Sequence, residues 1–98
     1  MIVRKLKTTK TYPTDGDFPL YSEESRKLFQ QMANEGKLIH RSVTQIDELT
    51  NLTVTIWLDK ESLDYWLNNP IAISEGERFT EWFKNNPNFS RELTIEEL

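Results

Sequence analysis

Apolar and polar residues change their period several times along this chain, and each change marks an element. From Leu52 to Leu58 the alternation is strict. Leu52, Val54, Ile56 and Leu58 point one way and Thr53, Thr55 and Trp57 the other, which is the period of a β-strand. Residues 1–12 are rich in β-formers (Ile2, Val3, Leu6, Thr8, Thr9, Thr11, Tyr12) and predict an earlier strand. Between residues 38 and 49, Ile39 and Val43 share a parity that Ile46 breaks, so this strand is expected to carry a bulge or bend. Phe89, Leu93 and Ile95 alternate with Ser90, Glu92, Thr94 and Glu96 and predict a last strand.

Helical spacing fills the gaps. Leu28, Phe29, Met32 and Ala33 form an apolar stripe over about residues 22–35, opened by Ser22, whose hydroxyl can accept a free backbone N–H. Glu23 and Glu24 suit the positive end of the helix dipole, and Gly36 supplies the stop. Asp59 caps a helix carrying Leu63, Trp66 and Leu67 that is expected to end before Pro70. Ser74 and Glu77 fit a capping box, so a further helix is expected to open at Ser74, bury Phe79, Trp82 and Phe83, and stop before Pro87. The segment Tyr12–Tyr21 holds turn residues and four large apolar side chains, Tyr12, Phe18, Leu20 and Tyr21. It reads as packing over a helix end, with a lid over a pocket mouth as the other reading.

The order is strand, helix, two strands, two short helices, strand. Right-handed crossovers fold that order into a ferredoxin-like βαββαβ domain of the α+β class, spanning residues 1–98, with a four-stranded antiparallel sheet and helices on one face. The first and last strands then lie side by side. Arg4, Lys5, Lys7 and Lys10 on one and Glu92, Glu96 and Glu97 on the other become opposite charges across a strand pair. The basic start is thus a sheet partner before it is a binding patch.

Charge and composition narrow the function. Twelve Lys and Arg against sixteen Asp and Glu give a net charge of −4, the wrong sign for a nucleic-acid partner. No cysteine is present, which excludes disulfides, thiol catalysis and Cys-ligated metals. No apolar run is long enough to span a membrane. The segment Met1–Lys5 lacks a signal-peptide core, so a cytoplasmic location is expected. A chain of 98 residues has a thin core, and dimerisation is a natural remedy. The helices leave one sheet face open, and Thr53, Thr55 and Trp57 are expected on it. A tryptophan among threonines there would meet a second copy of the chain in a two-fold homodimer.

The stretch Thr53-Val54-Thr55-Ile56-Trp57-Leu58-Asp59-Lys60-Glu61-Ser62-Leu63-Asp64-Tyr65-Trp66-Leu67-Asn68-Asn69-Pro70 resembles the third strand and following helix of the dimeric α+β barrel superfamily. The resemblance is to its antibiotic-biosynthesis-monooxygenase-like members and their haem-degrading relatives, and Phe79 stands where those proteins also place aromatics. It implies a dimer built through the open sheet face, a pocket between helices and sheet, and cofactor-independent oxygenation. The haem-degrading branch uses an Asn on the first strand, a Trp after the third and a downstream His. Trp66 matches the tryptophan. The first strand has no Asn, and Ser74, Glu75, Gly76 and Glu77 stand where the His should fall. Haem ligation of that type is therefore not expected, nor is any other cofactor or metal.

Seven of the eleven aromatics lie between Trp57 and Phe89. As a core they need no further explanation. As a pocket wall, the ligand-binding residues would be Trp57, Trp66, Phe79 and Phe83. His40, the single histidine, is the expected base if the protein is catalytic, although a lone strand histidine is more often a surface or packing residue. Two functions follow. One is a homodimeric barrel that binds a small apolar molecule and acts as a monooxygenase-like enzyme. The other is a non-catalytic dimerisation or protein-interaction module.

Overall fold

The computed structural model describes all of residues 1–98. Strand β1 spans Ile2–Lys10, β2 Leu38–Asp47, β3 Thr50–Trp57 and β4 Phe89–Glu97; helix α1 spans Glu23–Asn34, α2 Lys60–Leu67 and α3 Pro70–Asn85. The four strands form one antiparallel sheet in the order β2-β3-β1-β4, with the helices on one face: the ferredoxin-like βαββαβ fold. No helix is long and apolar enough to cross a membrane.

Side-chain oxygens set the helix starts. Ser22 Oγ accepts from Ser25 N at 3.2 Å and Asp59 Oδ1 from Ser62 N at 2.8 Å. Gly36, at φ +76°, follows α1, a left-handed conformation that a side chain would strain. The last helix differs from expectation. It opens at Pro70, not Ser74, because Asn69 Oδ1 accepts from Ile71 N at 2.9 Å. A proline that ends one helix has the fixed φ and missing N–H that suit the first turn of the next. Ser74 therefore lies inside α3, and Glu75 is free to turn inward.

The parity change in β2 appears as register shifts between Leu38 and His40 and between Gln45 and Asp47. The pairing of β1 with β4 brings Lys7 opposite Glu92, but Arg4, Lys5 and Lys10 face Ile95, Thr94 and Phe89, so the expected row of opposite charges reduces to one register pair.

The facing of β3 needs correction. Trp57 is fully buried, pairs with Ile2 and Leu38, and packs in one cluster with Leu28, Phe29, Met32, Leu63 and Trp66. Its ring lies 5.2 Å from that of Trp66 on α2. Trp57, Thr55 and Thr53 thus face the helices, and Leu52, Val54 and Ile56 face the open side. Strict alternation separates two sets without telling which is inside. Tryptophan decides it, since its ring buries about 150–250 Å² and its indole N–H finds Thr55 Oγ1 at 3.0 Å. A homodimer through the open face would therefore use Leu52, Val54 and Ile56, and not Trp57.

Candidate ligand cavity

Three elements converge above the middle of the sheet. On β1, alternation sends Arg4 and Leu6 toward the helices, between Ile2 and Thr8. On α3, the helical period puts Ala72, Glu75 and Phe79 on one face. From β4 come Arg91 and Leu93, where the helices no longer cover the strand and Leu93 stays half exposed. Tyr21, just before α1, and Trp66 of α2 complete a cavity of about 770 Å³ lined by these residues. That lies within the roughly 300–1,000 Å³ usual for small-molecule sites. A second chamber of about 190 Å³ shares Leu6, Tyr21 and Phe79 with the first and adds Phe18, Arg41, Thr53 and Phe83.

Glu75 is the buried carboxylate of the larger cavity. Its Oε2 accepts from Ser22 N at 2.8 Å and from Ser22 Oγ at 2.7 Å, and its Oε1 pairs with Arg78 Nε. Burial alone would raise its pKa, but the hydrogen bonds from Arg78, Ser25 and Ser22 prevail and hold it at about 2. Arg78 also donates to the carbonyl of Leu20 at 2.6 Å. The Tyr12–Tyr21 segment is thereby tied to α3, so the packing reading of that segment fits better than a free lid. Phe18 meets Phe89 edge-on at 5.6 Å, and Tyr21 meets Phe29 and Phe79 at 5.4 and 5.0 Å.

The sheet side of the cavities is cationic. Arg4 and Arg41 flank Thr55, one from each neighbouring strand. Arg4 lies over the Trp66 ring at 5.2 Å, and Arg41 over Tyr21 at 5.1 Å and Phe29 at 4.6 Å. The Nε of Arg41 is buried with no hydrogen-bond partner. Arg91 stacks on Phe83 at 4.8 Å and donates to Thr80 Oγ1 at 3.0 Å. The ion pairs of the chain are Lys27–Glu23, Lys37–Glu35 and Arg78–Glu75, so Arg4, Arg41 and Arg91 have no carboxylate partner. Burial raises the pKa of Tyr21 although Arg4 and Arg41 oppose it, and burial lowers that of Arg4. Tyr21 is therefore a protonated phenol at neutral pH.

Of the residues singled out from sequence, Trp66 and Phe79 line the larger cavity and Phe79 and Phe83 the smaller. Trp57 lines neither, being packed behind Trp66 in the core. His40 stands apart. It pairs with Ile56 on the open side of the sheet and is exposed, so the sheet separates it from Trp66 and Phe79. Sequence reasoning placed Tyr21 at a pocket mouth only in its lid reading, and passed over Arg4, Arg41, Glu75 and Arg91 as site residues. One signal was available: Arg4 interrupts the apolar parity of its strand, as an inward-facing charge does. No cluster of three or more His, Cys, Asp or Glu is arranged to hold a metal.

No protein-family model matches the chain, and no curated protein does. Solved structures do match, over nearly the whole chain. An antibiotic biosynthesis monooxygenase aligns with TM-score 0.58 at 11% identity, covering 100% of this chain and 98% of that one. SnoaB, a cofactor-independent oxygenase from Streptomyces nogalater, aligns with TM-score 0.59 at 8% identity, covering 99% and 91%. A dimeric ferredoxin-like protein from an uncultured marine organism aligns with TM-score 0.61 at 14% identity, covering 99% and 93%. At these identities the likeness is one of fold.

Proposed function

We propose that this chain works as a homodimeric α+β barrel protein that takes a small, largely apolar molecule into the helix–sheet cavity and oxygenates it without a cofactor. The cavity carries this reading. Its volume of about 770 Å³ and its wall of Leu6, Trp66, Phe79 and Leu93 suit a ring system. The fold shared with a cofactor-independent oxygenase supports the reaction class. In such a reaction the substrate itself supplies electrons to dioxygen. The protein's share is then to hold the substrate, exclude water and favour its ionised form, which a neighbouring guanidinium does electrostatically. Assembly through the open sheet face is supported by the apolar side chains of Leu52, Val54 and Ile56 there, and by the fold shared with a dimeric protein.

One observation favours the alternative of a binding or interaction module without catalysis. Glu75 is held too acidic, and Tyr21 too basic, for either to take and return a proton near neutral pH. An oxygen electrode separates the two. Electron-rich polycyclic phenols should drive oxygen uptake by the wild type, and Phe79→Ala should reduce it. His40→Ala should not, because His40 lies across the sheet. Binding of the phenols without oxygen uptake would leave the module, and loss of uptake in His40→Ala would sink this placement of the chemistry.

A further inference from the structure

Three arginines on the inner face of the sheet have no carboxylate partner; Arg91 is exposed at the rim, and Arg4 and Arg41 are half-buried, with little water. A buried charge is stabilised by an ion pair or hydrogen bonds, and an uncompensated one is strongly destabilising. Arginine does not escape by losing its proton. Within the protein, aromatic faces partly compensate: Trp66 for Arg4, Tyr21 and Phe29 for Arg41, Phe83 for Arg91. A ring face is a weak substitute for an anion. The Nε of Arg41 has no acceptor at all.

The acids nearby do not fill this need. Glu75 lines the larger cavity, but its oxygens are taken by Ser22 and Arg78. Glu77 and Glu81 stand exposed on α3 at the rim. In the smaller chamber Arg26 and Arg41 meet no carboxylate in the lining. A protein with a net charge of −4 thus keeps two unpaired arginines, Arg4 and Arg41, on the inner face of its sheet against apolar cavity walls.

Resting on the cavity reading above, we infer that the molecule this site accepts is an organic anion: a ring system bearing a carboxylate, with the carboxylate on Arg4 beside the Tyr21 hydroxyl and the ring against Leu6, Phe79 and Leu93. Guanidinium and carboxylate match in planar, two-point geometry. Tyr21 adds a neutral O–H donor on the same side, and Arg41 behind it adds positive field without direct contact.

The test compares two probes of one shape, 2-naphthoate and uncharged 2-naphthamide, by calorimetry and by quenching of tryptophan fluorescence at low salt and near-neutral pH. Naphthoate should bind at least about tenfold more tightly. Arg4→Gln should remove that preference while leaving naphthamide affinity unchanged, and Lys7→Gln, on the open face, should change neither. Equal affinity for the two probes in the wild type would overturn the anion site and leave the cavity standing. No binding of either at millimolar concentration would overturn both. Loss of the preference in Lys7→Gln would place the anion on the outer basic strand and refute the assignment. Should Arg4→Gln fail to fold, the wild-type comparison decides alone.

Discussion

The carboxylate of Glu75 on α3 accepts two hydrogen bonds from Ser22, 2.8 Å from its backbone N–H and 2.7 Å from its hydroxyl. Ser22 is also the residue that caps α1. One buried acid therefore fixes the start of one helix against the middle of another, with Tyr21 and the cavity wall between them.

Stability should follow the ionisation of Glu75. Its folded pKa of about 2 lies below its ordinary 4.5, so the unfolded chain binds the proton more readily. The stabilisation is then fully present above the ordinary value and is lost as pH falls from there toward 2. The depression corresponds to about 3 kcal/mol. Glu75→Gln should lose much of this at neutral pH. The difference between wild type and variant in urea unfolding should shrink as pH falls toward 3. A difference that stays constant with pH would mean that shape, not charge, matters at this position.

The core position of Trp57 sets a second expectation. Trp57→Ala should cost about 3–5 kcal/mol, the usual range for removing a buried aromatic, and Trp57→Glu should unfold the subunit rather than merely separate subunits. Chemical denaturation followed by circular dichroism checks both. A folded, monomeric Trp57→Glu protein would contradict the facing of β3.

That facing marks the limit of what the pattern could tell. Element order, the first two helix caps, the bulge in β2 and the pairing of the first strand with the last were legible, because each is written in local period or local hydrogen-bonding chemistry. Which side of β3 lies under the helices was not legible. Its two faces, three or four aliphatics against two threonines and a tryptophan, have comparable apolar content, and the decision came from Ile2, Leu38 and Trp66, distant in sequence. The cavity was legible in its aromatics, Trp66, Phe79 and Phe83, and not in its charges. Arg4, Arg41 and Arg91 sit on three strands, and only the register brings Arg4 and Arg41 to either side of Thr55. Glu75 was hidden by Pro70, which starts a helix where it reads as a stop.

The open face offers a third prediction. Val54 and Ile56 are partly exposed beside Leu52 on the uncovered side of the sheet. Ile56→Glu should leave the subunit folded, because the helix-side core is untouched, and should convert a dimer into a monomer by native mass spectrometry. A variant that still assembles would show that subunits meet elsewhere.

Arg4 should trade stability for binding. Its guanidinium is held largely out of water without an ion pair, with Trp66 beneath it and the Tyr21 phenol beside it. Arg4→Met keeps much of the side chain's apolar bulk and removes the charge. The cation–π contact it gives up contributes about 0.5–1 kcal/mol at exposed sites and more where water is excluded. Against that stands the cost of a desolvated, unpaired cation, several kcal/mol per ion. The larger quantity should win, so the ligand-free variant should melt at the same temperature as wild type or a few degrees higher. At the same time it should lose the gain in melting temperature that 2-naphthoate gives the wild type through preferential binding to the folded state. Paired thermal scans with and without naphthoate read both effects. A lower melting temperature in the ligand-free variant would make Arg4 a structural residue, held in place by Trp66 and Tyr21 for the fold's sake and not for a ligand's.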